Sequence, residues 1–156
     1  MLTNFFKSIL HNVGVLFVGF IVAFVGLFLD ALLQAANYLN PTTFSVGLIF
    51  LAIGFAIRVW ATYYFYKSQM KVISLKPQKK LLTKGPYQFS RNPLYLGGNI
   101  FIFYGASFVL GSPAAIFITT LGIFLTDHMI KREEKQLEKK FGKEWINYTK
   151  KVRRWI

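Results

Sequence analysis

The sequence predicts an all-α integral membrane fold, with about four transmembrane helices and amphipathic helices in a C-terminal cytoplasmic tail. Three observations predict it. Hydrophobic residues make up 54% of the 156 residues, too many for an ordinary soluble domain of this size. Four apolar segments are each long enough to cross about 30 Å of hydrocarbon. The 19 Lys and Arg, against 6 Asp and Glu, lie almost wholly outside those segments. At this length one domain, residues 1–156, is expected.

The first span is placed at residues 13–35, "VGVLFVGFIVAFVGLFLDALLQA". Its apolar run is longer than the core of a signal peptide, and no small-x-small cleavage site closes it, so it is expected to be retained. The second span is placed at residues 44–66, "FSVGLIFLAIGFAIRVWATYYFY". The third and fourth, residues 94–110 and 113–130, are separated only by the turn signal "GSP" and predict a helical hairpin.

Charge then orients the spans. The loop 67–93 carries Lys67, Lys71, Lys76, Lys79, Lys80, Lys84 and Arg91 with no acid, and the tail 131–156 carries ten Lys or Arg. The connections 36–43 and 111–113 carry none. Basic residues stay on the cytoplasmic side, so both termini and the loop are expected there, consistent with an even number of spans. The charge is thereby accounted for by topology and by contact with anionic headgroups of membrane lipids. No nucleic-acid module is recognisable, so nucleic acid is excluded as a partner. There is no cysteine, and His11 and His128 alone do not make a metal site.

This topology has a chemical consequence. "GPYQFSRNPLY" stands at the start of span three and "KREEKQLEKKFG" at the end of span four. A hairpin brings both to one cytoplasmic mouth. Asn92 suits a helix N-cap and Pro93 the first helical position. A well-started helix would explain both. The same end also offers N–H groups and a positive dipole to an anion. Arg91 beside it can bind a carboxylate, or simply snorkel to headgroups. Tyr87 and Tyr95 can wall a pocket or belong to an interfacial aromatic belt. Glu133 and Glu134 can bind hydroxyls or an amino group, or lie on a solvated helix face.

Charges inside the spans need partners. Arg58 either points into the shared mouth or pairs with Asp127. Asp30 is expected near the outer boundary in a structural role. In the tail, Leu137, Phe141, Trp145, Tyr148, Val152 and Trp155 recur at steps of three or four. That spacing predicts an apolar helical face, broken by Gly142 into two helices lying on the membrane.

"LLTKGPYQFSRNPLYLGG", a hydrophobic hairpin and "REEKQLEKKFGKEWINYTKKV" together resemble the isoprenylcysteine carboxyl methyltransferase and phospholipid methyltransferase superfamily of integral-membrane enzymes. The resemblance covers residues 81–152, close to half the chain. It rests on a GPY-x-x-x-R-(H/N)-P-x-Y-x-G block and an E-E-x-x-L-x-x-x-F-G block in that order. It implies S-adenosylmethionine as methyl donor, bound between the hairpin and the tail. By match, Leu81, Leu82, Tyr87, Asn92, Pro93, Leu94, Tyr95 and Glu133 are the implied cofactor-binding residues. Arg91 and Glu134 fall on recurrent motif positions and are catalytic candidates, with Arg58.

Two departures matter. Prenylcysteine enzymes usually carry His where Asn92 stands, and an arginine near Met129 that meets the substrate carboxylate. Arg132, Arg58 or Arg91 can replace the latter, or the substrate is not a prenylcysteine. With little sequence before the motifs, a prokaryotic inner-membrane member acting on another lipophilic molecule or lipid is expected. An amine or hydroxyl acceptor would need a base, for which His128, Glu134 and Asp127 are the candidates. The alternatives are an NADPH-dependent membrane reductase of the sterol-reductase type, and a non-enzymatic membrane protein.

Overall fold

The computed structural model describes residues 2–72 and 79–156; part of the basic loop, including Lys76, lies outside them. Five helices follow in order: α1 (Leu2–Leu33), α2 (Pro41–Lys67), α3 (Pro93–Leu110), α4 (Pro113–Phe141) and α5 (Lys143–Thr149). A single 3₁₀ turn, Gly85–Gln88, precedes α3. The first four helices are long and apolar enough to cross a membrane, and no strand occurs among the described residues. The all-α, four-span architecture is therefore as the sequence predicts.

α1 begins well before residue 13, because its polar residues have partners inside the bundle. Ser8 Oγ donates to the Val59 carbonyl at 2.7 Å and also bonds the Thr62 hydroxyl. Asn12 Nδ2 donates to Thr62 Oγ1 at 2.8 Å. Both residues are fully buried against α2. Hydrogen-bonded polar groups need not leave the apolar interior, so the helix runs through them. At the start of α2, Asn40 accepts from the Thr42 and Thr43 amides, and Thr43 Oγ1 accepts from the Asn40 amide. This capping box, with Pro41 following it, is worth about 1 kcal/mol.

Glycines set the closest packing, between α2 and α3. A Cβ on Gly54 would stand 2.6 Å from the Gly97 carbonyl oxygen, and one on Gly47 would stand 2.8 Å from that of Gly105. Without such side chains the two backbones touch. The paired glycines are seven residues apart on α2 and eight apart on α3. The extra residue is accommodated by the π-helical stretch Leu96–Ile102, which widens the turn of α3.

At one end of the bundle, Asp30 of α1 accepts from Ser112 Oγ and from the Ala114 amide, tying α1 to the α3–α4 turn. Gly111 makes that turn in the left-handed region, at φ +63°. Asp30 thus has the structural role expected of it. The opposite end holds the start of α1, the corner leading into α3, the end of α4 and α5.

Two local readings change here. No new helix starts at residue 131: α4 continues from the apolar span through the charged segment to Phe141. Gly142, at φ +51°, does break the helix there, as expected. The tail's apolar face is turned onto protein: Trp145, Tyr148 and Val152 are buried together, packed with Leu81, Leu137 and Phe141. The segment is bolted to the bundle because a buried Tyr148 hydroxyl donates to the Tyr87 carbonyl at 2.6 Å.

Candidate functional site

The loop corner Ser90–Asn92 and the charged end of α4 meet at that end of the bundle. Pro93 fixes the first turn of α3, but Asn92 does not cap it with its side chain. The Asn92 amide donates to Ser90 Oγ at 3.1 Å, and its side chain reaches across to Glu134 Oε1 at 3.3 Å. One helical turn on, the Tyr95 hydroxyl donates to Glu133 Oε1 at 2.9 Å. The consecutive acids of α4 are therefore each held by the start of α3.

Glu134 is the more enclosed acid. Arg154 grips it with Nη2 at 2.6 Å and Nε at 3.1 Å from Oε2, while Arg91 Nη1 lies 3.5 Å from Oε1. Hydrogen bonding to Glu134 raises the Arg154 pKa further above its ordinary value, against the opposing effect of burial. Glu133 differs: it lies exposed and accepts from Tyr95.

Arg91 is mostly buried, with its guanidinium 5.7 Å from the centroid of the Trp145 ring. Its Nε is buried and has no hydrogen-bond partner among the described residues. A cavity of about 650 Å³ opens beside it, lined by Arg91, Glu134, Trp145, Arg154, His128 and Lys131 among others. Asp127 is engaged by Lys131 at 2.6 Å and by Arg154 at 3.4 Å, which leaves His128 exposed on the cavity wall.

The other residues singled out in the sequence lie behind this surface. Arg58 does not reach Asp127. Its Nε donates to Asn12 Oδ1 at 2.8 Å and its Nη1 to the Leu94 carbonyl at 2.6 Å, next to the π-helical stretch. It is a buried brace between α1, α2 and α3. Tyr87 is buried with Ala61, Phe65 and Met70, and Leu82 and Leu94 pack on that cluster. Burial raises the Tyr87 hydroxyl well above its ordinary pKa, and that hydroxyl has no hydrogen-bond partner among the described residues. Leu81 packs on Trp145 and its neighbours, and Pro93 is fully buried. Leu81, Leu82, Tyr87, Pro93 and Leu94 thus support the corner from behind, while Arg91, Asn92, Tyr95, Glu133 and Glu134 form its face.

Sequence reasoning missed Arg154. It sits in "KKVRRW", where every basic residue also serves as a topology signal, and nothing local distinguishes it. Trp145 was legible as part of an apolar stripe, but not as the ring beneath Arg91.

The residues present suit a small ligand with both an anionic and a hydrogen-bonding part. Arg91 on the cavity wall can take a carboxylate, Glu133 on the exposed surface next to it can accept from hydroxyl or amino groups, and Trp145 also lines the cavity. The volume lies within the range of small-molecule sites.

A search of curated proteins and one of solved structures find no match to the chain. A protein-family model for phospholipid methyltransferases matches residues 42–144, which include nearly all of α2, all of α3 and α4, and the corner between them. Together with four membrane-length helices and the joined motif blocks, that match over about two thirds of the sequence makes the chain a member of the phospholipid methyltransferase family.

Proposed function

We propose that this chain uses S-adenosylmethionine to methylate a lipophilic acceptor at the cytoplasmic face of a membrane, in the manner its family membership suggests. The observation that carries the reading is the convergence of Arg91, Asn92 and Tyr95 on Glu133 and Glu134, beside a cavity of about 650 Å³. The charge distribution supports the cytoplasmic placement of both termini, where a water-soluble donor is available. A prokaryotic inner membrane is the setting we favour.

When bound, S-adenosylmethionine supplies an electrophilic methyl carbon on a positively charged sulfur. Arg91 would hold its carboxylate, Glu133 its ribose hydroxyls or amino group, and Asn92 and Tyr95 the wall between them. The structural task of the remaining residues is alignment and exclusion of water. Glu134, enclosed by Arg154, Arg91 and Asn92, holds the corner in place rather than moving a proton. A carboxylate acceptor would need no base. For an amine or hydroxyl acceptor His128 is the base we favour, because Asp127 and Glu134 are already committed to cations. The lipid-facing helices let an acceptor reach this mouth from within the bilayer.

The test is transfer of a radiolabelled methyl group from the donor into the organic phase of a membrane-lipid extract by the purified protein. Enzyme-dependent label in the organic phase supports the reading. Failure to label any lipid or carboxylated isoprenoid fraction, with folded protein, contradicts it.

A further inference from the structure

The segment after α5 returns to the corner and touches it twice through its main chain. The Arg91 amide donates to the Arg153 carbonyl at 3.0 Å, and Ser90 Oγ donates to the Arg154 carbonyl at 3.1 Å. The Arg154 side chain then reaches α4, at Glu134 and Asp127. Val152, buried with Trp145 and Tyr148, anchors the approach. A ring therefore closes through three distant stretches: Ser90–Asn92, Glu134 and Arg154. The family match stops at residue 144, so it does not cover Arg154.

We propose that Arg154 is a positioning residue of the site, fixing Glu134 and through it Arg91, which lines the cavity, and Asn92 beside it. The distances order the contributions. Arg154 approaches Glu134 to 2.6 Å, whereas Asn92 and Arg91 stand off at 3.3 Å and 3.5 Å. Without Arg154, Glu134 loses its shortest contact, and the acid is free to swing toward Arg91. That movement would occupy the guanidinium otherwise presented to a ligand carboxylate. A planar two-nitrogen grip is specific to arginine, so lysine would replace the charge but not the geometry.

The proposal rests on the methyltransferase reading for its ligand, so two readouts are needed. The first is S-adenosylmethionine affinity by calorimetry on the full chain in detergent. Arg154→Gln is expected to weaken binding about ten-fold, the loss of roughly one charge-assisted hydrogen bond. Arg154→Lys is expected to recover most of it. Adding Glu134→Gln to Arg154→Gln should restore part of the affinity, because a neutral amide no longer competes for the Arg91 guanidinium. Lys151→Gln, at an exposed position, is the charge control.

The second readout needs no donor. The chain has no cysteine, so Gln88→Cys and Ile156→Cys, both exposed, can carry spin labels cleanly. The label-to-label distance distribution should be narrow and should broaden with Arg154→Gln. Wild-type affinity in Arg154→Gln overturns the proposal, and so does an unbroadened distribution. If the unsubstituted protein binds no donor, the methyltransferase reading fails, and the label distances alone then decide the role of Arg154.

Discussion

The Tyr95 hydroxyl donates to Glu133 Oε1 across 2.9 Å, joining residues 38 positions apart in the chain. One belongs to the first turn of α3 and the other to the charged end of α4. The bond exists because the α3–α4 hairpin returns α4 to the end where α3 begins. It also leaves Glu133 exposed, with a second oxygen open to a ligand. Glu133→Gln should therefore weaken S-adenosylmethionine binding about ten-fold while the protein still folds, since a neutral amide is a poorer acceptor for hydroxyl and amino donors. Calorimetry on detergent-purified protein, with circular dichroism as the folding check, measures both. Unchanged affinity would remove Glu133 from the site.

Asn92→Ala should act in the same direction for a different reason. It removes a donor that spans from the corner to Glu134 at 3.3 Å, not a helix cap. Donor affinity should fall several-fold. The thermal midpoint should move little, because no capping bond is lost. A large loss of stability with intact affinity would assign Asn92 to the fold instead.

Gly54 tests the packing of the scaffold. Its position faces the Gly97 carbonyl so closely that any side chain must push α2 from α3. Gly54→Ala should destabilise by about 1–3 kcal/mol, read as a lower unfolding midpoint in detergent. The distortion passes directly to Gly97 and the π-helical stretch above the corner, so donor affinity should fall with it. A stable variant of full affinity would contradict the contact.

Asp30 makes a matching prediction at the far end. Asp30→Ala leaves Ser112 Oγ and the Ala114 amide without their acceptor, at a cost of about 1–3 kcal/mol. Donor affinity should be unchanged, because the tie lies at the end of the bundle opposite the cavity. Thermal unfolding and calorimetry on the one variant separate the two effects.

Alkaline pH should destabilise the fold through its tyrosines. Burial, helped by the nearby Asp30 carboxylate, raises Tyr38 from its ordinary 10.0 to about 12. Burial raises Tyr87 and Tyr148 in the same direction. A folded-state value above the unfolded one stabilises the protein fully below pH 10, and that contribution is lost as pH climbs toward 12. The unfolding midpoint should fall across that interval. Tyr38→Phe should flatten part of the fall, which a pH series of melting curves would show.

Much of this architecture could be read from local pattern. Long apolar runs, the "GSP" turn and the uneven basic charge define four helices and a hairpin, and the hairpin alone brings Tyr95 to Glu133. What could not be read depends on partners distant in sequence. Ser8 and Asn12 looked like residues outside the membrane, yet their hydrogen bonds to α2 keep them within the bundle. Arg58 could be read as pointing into the shared mouth or as pairing with Asp127, but a carbonyl near the π-helical stretch and an asparagine on α1 satisfy it instead. The charged segment after Ile130 looked like a separate surface helix. Its Lys and Glu are good helix formers and simply extend α4, with Asp127 and Lys131 paired one turn apart. Arg154 was indistinguishable from its basic neighbours until the fold set it against Glu134.

The most direct test of the central claim is calorimetric titration of the purified protein with S-adenosylmethionine, with NADPH titrated in parallel. The account predicts saturable binding of S-adenosylmethionine, weakened by Glu133→Gln, and none of NADPH. Folded protein that binds NADPH alone, or neither molecule, would contradict it.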